Sequence, residues 1–292
     1  MKHHRIVLAV ALAAALSAVA VRTAAAQDAP ARQRWSFAGP FGIYDQAQLQ
    51  RGFKIYKEVC SNCHSLKLLA FRNLAEPGGP GFTEAQAAAI AATFQVTDGP
   101  NDQGEMFQRP GKLADSFPPP FPNDQAARAA LGGKLPPDMS VLALARSYDW
   151  GFPWFIVDAF TMYQEDGPDY IHAILNGYTD PPAGFTLAPG TQYNKYFPGG
   201  GLGMPKPLSD GQVEYTDGTP TTVDQYGRDV AAFLMWAAEP TLDARKRLGF
   251  QVMIYLIVLT GLLYLTKKKV WHDVLDDPDL LQSRPPTEYP RS

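Results

Sequence analysis

The two cysteines of this 292-residue chain, Cys60 and Cys63, stand three residues apart, and a histidine, His64, follows the second. Two thiols at that spacing lie on one side of a helical turn. Both can then add to the vinyl groups of a single porphyrin while the next side chain swings beneath the iron. That is the spacing of c-type haem attachment, with Cys60 and Cys63 as thioethers and His64 as the proximal ligand. A zinc site needs about four ligands, and beyond residue 26 the only other histidines are His172 and His272. A redox Cys-x-x-Cys is set in βαβ surroundings, whereas the flanks here read as helix followed by Pro/Gly-rich loop. Haem attachment is the reading these residues favour.

The elements that must hold this turn can be read from hydrophobic spacing. Asp45 is a suitable N-cap, and Gln46 to Val59 carries Leu49, Phe53, Tyr56 and Val59 at helical intervals, so one face is apolar and the helix end delivers Cys60. Leu66 to Phe71 is apolar and is expected to close over the haem edge. Trp35 to Gly42 is too rich in Gly and Pro for a helix and is expected to lie across the surface. Thr83 and Gln86 form a capping box for an alanine-rich helix to about Phe94. Residues 98–104 and most of 109–123 read as loop, because repeated prolines exclude regular ladders. Short helices are expected at 124–131, 138–147, 154–163 and 169–176, and 176–208 is again loop. Asp217-Gly218 between strand formers signals a small hairpin over 213–219. Thr222, capped reciprocally with Gln225, opens a last helix with the apolar stripe Val223, Tyr226, Val230, Phe233, Leu234 and Ala237, which ends at Pro240. With 26 prolines and 25 glycines, the domain should be mostly α with long ordered loops.

Two apolar stretches lie outside that domain. Residues 6–21 follow Lys2 and Arg5 and lead to Ala24-Ala25-Ala26, the layout of a secretory signal over residues 1–26. Residues 248–266 carry no charge and sit between Arg245-Lys246-Arg247 and Lys267-Lys268-Lys269. That length crosses a bilayer at roughly 1.5 Å per residue. Basic flanks at both ends decide little about orientation, so the signal decides it. Residues 27–241 are expected to be exported to the periplasm, 242–267 to form a single transmembrane anchor in the inner membrane, and 268–292 to be a cytoplasmic tail. The exported part holds 15 Lys and Arg against 23 Asp and Glu, so it should attract a basic soluble partner and repel nucleic acid.

Iron with one histidine needs a second axial ligand if it is to carry electrons and ignore small molecules. Outside the leader and the anchor, methionine occurs at 106, 139, 162, 204 and 235. Met235 is expected in the core of the last helix. Met204 lies in Gly-Leu-Gly-Met-Pro-Lys-Pro, where glycines let backbone approach the porphyrin and Pro205 stiffens the segment beyond. It leads, with Met139 and Met106 as alternatives, and His172 would give a bis-histidine pair.

Six motifs occur in order. They are Cys60-Ser61-Asn62-Cys63-His64-Ser65, Arg109-Pro110-Gly111-Lys112-Leu113-Ala114-Asp115, Tyr196-Phe197-Pro198, Met204-Pro205, Asp217-Gly218-Thr219-Pro220 and Trp236-Ala237-Ala238-Glu239-Pro240. Followed by one anchor, this series resembles the cytochrome c1 family of the cytochrome bc1 complex, from about Trp35 to the tail. The resemblance implies a class I c-type cytochrome-like haem domain, Met204 as the distal ligand, and Arg109 paired with a haem propionate, a role that a permanently charged bidentate donor suits. Some bacterial relatives brace the methionine loop with an extra cysteine pair. This chain lacks it, so packing must steady the loop, and Trp150 to Met162 is the expected source.

The resemblance further implies an electron-transfer subunit of a ubiquinol:cytochrome c oxidoreductase. It would pass single electrons from the Rieske iron–sulfur protein through one covalent haem c to a soluble basic cytochrome c, beside cytochrome b and membrane lipid in a dimeric complex. No acid or base catalysis is expected on this chain. The rivals are a free-standing membrane-anchored cytochrome c serving an oxidase, a haem sensor or peroxidase with an open sixth position, and an exported thiol oxidoreductase. Asp98, Asp102, Glu105, Glu165, Asp166 and Asp169 are candidates for an acidic docking face.

Overall fold

Asp45 accepts a hydrogen bond from the Gln48 amide and opens helix α1 (Gln46–Glu58), which buries Leu49, Phe53, Ile55 and Tyr56 on one face. A 3-10 turn, Cys60–Asn62, continues directly from it. The structure, a computed structural model, describes residues 27–276, so the expected leader at 1–26 and tail residues 277–292 lie outside the described residues. After a second 3-10 turn at Phe71–Ala75 come α2 (Glu84–Ala92), strands β1 (Gln95–Asp98) and β2 (Phe107–Pro110), and helices α3 (Asp124–Ala130), α4 (Leu142–Ala145), α5 (Trp154–Thr161) and α6 (Asp166–Asn176). Strands β3 (Gln192–Tyr193) and β4 (Gly201–Leu202) precede α7 (Val223–Ala238) and α8 (Leu242–Asp276). The fold is mostly helical with two small antiparallel hairpins.

Helix α7 is the axis of the first compact unit, which ends at Asp243, because α1 packs on one part of it and α6 on another. Its stripe was expected from the sequence, and residues 229–236 are all buried. Aromatic rings knit the core: Phe53 and Tyr56 of α1 meet Phe233 at 5.7 and 5.8 Å between centroids, and Phe117 meets Phe71 at 4.3 Å. The α1–α7 crossing is close enough to require Gly52. A Cβ there would lie 2.6 Å from the Phe233 Cβ and closer still to the Asp229 carbonyl. In most helices Gly→Ala stabilises by roughly 1 kcal/mol, but here the backbone must move apart. Gly52→Ala is therefore expected to destabilise by about 3 kcal/mol, at the upper end of overpacking costs, read as a lowered guanidinium midpoint of unfolding.

Three expectations are corrected. Residues 213–219 form no hairpin, because the Tyr226 hydroxyl takes both groups that a partner strand would take, accepting from the Val213 amide and donating to the Val213 carbonyl. The hairpins lie instead at 95–98 with 107–110 and at 192–193 with 201–202, so Arg109 sits in a strand. Trp35 and Phe37 do not lie on the surface. They are 6% and 0% exposed, and the Trp35 indole donates to Asp169 at 2.9 Å.

The second unit begins at Ala244 and continues helix α8. Residues 242–272 of that helix are long and apolar enough to cross a membrane, with none of the apolar window buried by protein.

Candidate haem site

His64 is buried, and its Nδ1 lies 2.9 Å from the Pro137 carbonyl oxygen. A carbonyl can only accept, so Nδ1 carries the proton and Nε2 keeps its lone pair. That tautomer is the one a metal needs, and the hydrogen bond fixes the ring plane as outer-shell partners of metal-bound histidines do. Burial also lowers the pKa of His64, against the Pro137 carbonyl and Asp138, so the ring stays neutral.

Pro137 is held in turn. The Asp138 carboxylate accepts from the Ser65 hydroxyl at 2.7 Å, the Lys67 amide at 3.0 Å and the Ser140 amide at 2.8 Å. The Met139 amide donates to the Ser65 carbonyl at 2.8 Å and the Leu68 amide to the Ser140 hydroxyl at 3.0 Å. Burial pushes the Asp138 carboxyl up, but its hydrogen bonds outweigh this and hold it below the usual carboxylate range. The segment 137–140 is thus laced to 64–68 as one clamp.

Cys60 and Cys63 sit half-buried on the 3-10 turn, neither in a disulfide. Burial, with Cys63 adding to it, pushes the Cys60 thiol up to about 12. The attacking thiol of an oxidoreductase is shifted the other way, so the thiol-exchange rival loses support. A buried neutral imidazole with its outer nitrogen engaged, beside two half-buried thiols on one turn, suits an iron porphyrin bound through two thioethers.

The five candidate methionines are spread over the domain. Met106 and Met162 are 60% and 51% exposed, and Met235 is buried within α7. Met139 belongs to the clamp on the His64 side. Met204 is partly buried against the core cluster, just beyond β4, with its carbonyl accepting from the Tyr178 hydroxyl at 3.0 Å. His172 is a core histidine between α6 and α7, its Nε2 2.9 Å from Asp224.

Arg109 lies in β2 and makes a bidentate pair with Asp115, at 2.6 and 2.9 Å, with Nε on Asp98. These carboxylates raise its pKa, and Arg109 holds the Asp115 carboxyl at about 2. The acidic candidates divide. Asp102 and Glu105 are exposed in the β1–β2 loop, while Asp98 pairs with Arg109. Glu165 and Asp169 are buried, so neither can face a partner, because Asp169 receives the Trp35 indole, the Gln33 amide and the Tyr163 hydroxyl.

The model of the Cytochrome C1 family matches residues 35–274. The chain belongs to the cytochrome c1 family. Cytochrome c1 of Blastochloris viridis is 50% identical over 273 residues, which are 92% of this chain and 96% of that protein. Cytochrome b/c1 of Bradyrhizobium diazoefficiens is 62% identical over 247 residues, 84% of this chain. The match takes in only 36% of that longer protein. A mitochondrial heme protein, cytochrome c1-2 of Solanum tuberosum, is 47% identical over 217 residues, 74% of this chain and 75% of its own.

Members of the cytochrome c1 family carry one covalently bound haem c, the group that the Cys60–His64 turn suits. Two features of this cytochrome c1 chain escaped the sequence reading. The Pro137–Ser140 clamp left no periodic signal, because its work is done by a backbone carbonyl and a distant carboxylate. The methionine loop is not tied to Trp150–Met162 by any described hydrogen bond, ion pair or ring contact. That segment closes on Arg32, whose guanidinium pairs with Asp158 at 2.7 Å and lies over Trp150, Trp154 and Tyr163.

Proposed function

We propose that this chain is the haem c subunit of a quinol:cytochrome c oxidoreductase, exported as residues 27–241 and anchored in the inner membrane by a helix beginning at 242. It passes single electrons from a Rieske iron–sulfur protein to a soluble basic cytochrome c. The observation that carries this reading is the Cys60-x-x-Cys63-His64 turn with its imidazole oriented by Pro137, in a chain of the cytochrome c1 family. Haem c supplies a one-electron iron couple, which a soft thioether ligand tilts towards the reduced form.

The chain's own residues set the conditions for that couple. Cys60 and Cys63 would hold the haem through two thioethers, and His64 and Met204 would both ligate its iron, leaving no position open to a small molecule. Arg109, oriented by Asp98 and Asp115, would offer its remaining N–H to a haem propionate. The surplus of acidic side chains in 27–241, with Asp102 and Glu105 as its exposed members near β1–β2, favours a basic acceptor.

Purification of the tagged chain from membranes in mild detergent tests this. The expected result is haem stain retained on the denatured chain, with a cytochrome b and an iron–sulfur protein in stoichiometric amounts. A fully haem-loaded chain that purifies alone would make it a free-standing membrane cytochrome. Absence of haem stain would remove the attachment reading.

A further inference from the structure

Hairpin β3–β4 pairs Gln192 with Leu202 and Tyr193 with Gly201, so extending its register by two places sets Gly190 across from Met204. Two paired residues per strand are too few to be stable alone. Lys134, from a distant part of the chain, lies at the open end of this hairpin. Its ammonium donates to the Gly190 carbonyl and, at 3.3 Å, to the Gly203 carbonyl, one acceptor just before β3 and the other just after β4. Its stem rests against Gly203, where a Cβ would come 2.9 Å from the Lys134 Cδ. A Cβ on Gly190 would come 3.3 Å from the ammonium. The cation is therefore seated between two glycines, in a space that other residues would fill.

The opposite side of the loop is held by Tyr178. Its hydroxyl donates to the Met204 carbonyl at 3.0 Å, and its backbone bridges to Asn194 just after β3. Lys134 is also only three residues before Pro137, the acceptor of the His64 ring proton. One stretch of chain, 134–140, thus reaches both the imidazole and the methionine loop.

We infer that Lys134 and Tyr178 are positioning residues that hold the Met204 thioether in place, Lys134 by clipping the open end of the β3–β4 hairpin and Tyr178 by fixing the Met204 carbonyl. This rests on Met204 as the distal ligand. Neither residue touches the metal. Each holds the backbone from which the thioether projects, so losing either raises the fraction of time the ligand is away.

The test uses the membrane-purified, haem-loaded complex with Lys134→Met, which keeps the stem and removes the charge, and with Tyr178→Phe, which removes only the hydroxyl. Carbon monoxide binding to the reduced native protein reports the open fraction. The charge-transfer band of thioether-ligated ferric haem reports ligation. Each change is expected to raise the open fraction about fivefold, the factor that one ordinary hydrogen bond of ~1 kcal/mol contributes, and to weaken the band. Lys134→Arg is expected to restore both. Lys206→Met, an exposed lysine two residues past Met204, is expected to change neither. Unchanged carbon monoxide access in both variants, or an equal rise with Lys206→Met, would overturn the positioning role. Met204→Leu separates the two levels: if it leaves the band intact, the ligand assignment itself fails, whereas if it abolishes the band while Lys134→Met and Tyr178→Phe are silent, only the brace fails.

Discussion

Met204→Leu is expected to leave haem covalently attached and the chain folded, but to lower the midpoint potential by on the order of 0.2 V. The scale derives from the roughly 0.8 V over which axial ligation moves haem potentials. Leucine is close to methionine in volume, and such swaps in a partly buried position usually cost less than about 1.5 kcal/mol, so the effect is electronic rather than structural. At 59 mV per decade, a loss of that size is more than a thousandfold shift in the electron equilibrium with any fixed acceptor. Quinol-driven reduction of a soluble cytochrome c should fall accordingly, and the reduced native protein should bind carbon monoxide. Redox titration of the purified complex measures the shift. A midpoint and carbon monoxide response like those of the parent would mean that the second axial position is filled by something else.

The expected outcome turns on a loop that was only partly legible in the sequence. The glycines around Met204 marked a close backbone approach, but the residues that brace it, Lys134 and Tyr178, lie 69 and 26 residues away from their acceptors, and no local pattern announces such pairs. Where the signal is local, reading and structure agree. Asp45 caps α1, the Thr83–Gln86 box closes at 3.2 and 2.8 Å, and α1 runs straight into the Cys60 turn. Thr222 also caps α7, although the Gln225 side-chain amide turns to Asp229 at 2.9 Å.

Errors arose where a distant polar group took over a local preference. The strand formers at 213–219 satisfy a tyrosine hydroxyl, and the Gly/Pro-rich stretch at 35–42 sends two aromatic rings into the core. Glu165 and Asp169 resemble surface acids in sequence, but Asp169 is the acceptor that pins the N-terminal segment to α6. In each case composition correctly described the residue type, and its partner, absent from any local window, decided its place.

Asp229 is the same situation with the largest consequence for stability. It is wholly buried on α7, and its carboxylate accepts from Arg51 Nε at 2.9 Å and Nη2 at 3.3 Å, from the Tyr215 hydroxyl at 2.9 Å and from Gln225 at 2.9 Å. Asp229→Ala strands a largely buried guanidinium, whose exposed arm keeps its pair with Asp217, and the expected loss is about 3–5 kcal/mol, the range for breaking a buried ion pair from one side. Replacing both partners, Arg51→Met with Asp229→Leu, removes the unpaired charge and is expected to recover most of that loss. Guanidinium unfolding of the haem-loaded protein measures both. The axial spectrum below the transition should stay that of the parent, because His64 and Met204 are braced through 134–140 and Tyr178 rather than through Asp229. A spectrum that changes before unfolding begins would mean that the α1–α7 ion pair reaches the proposed haem ligands as well as the core.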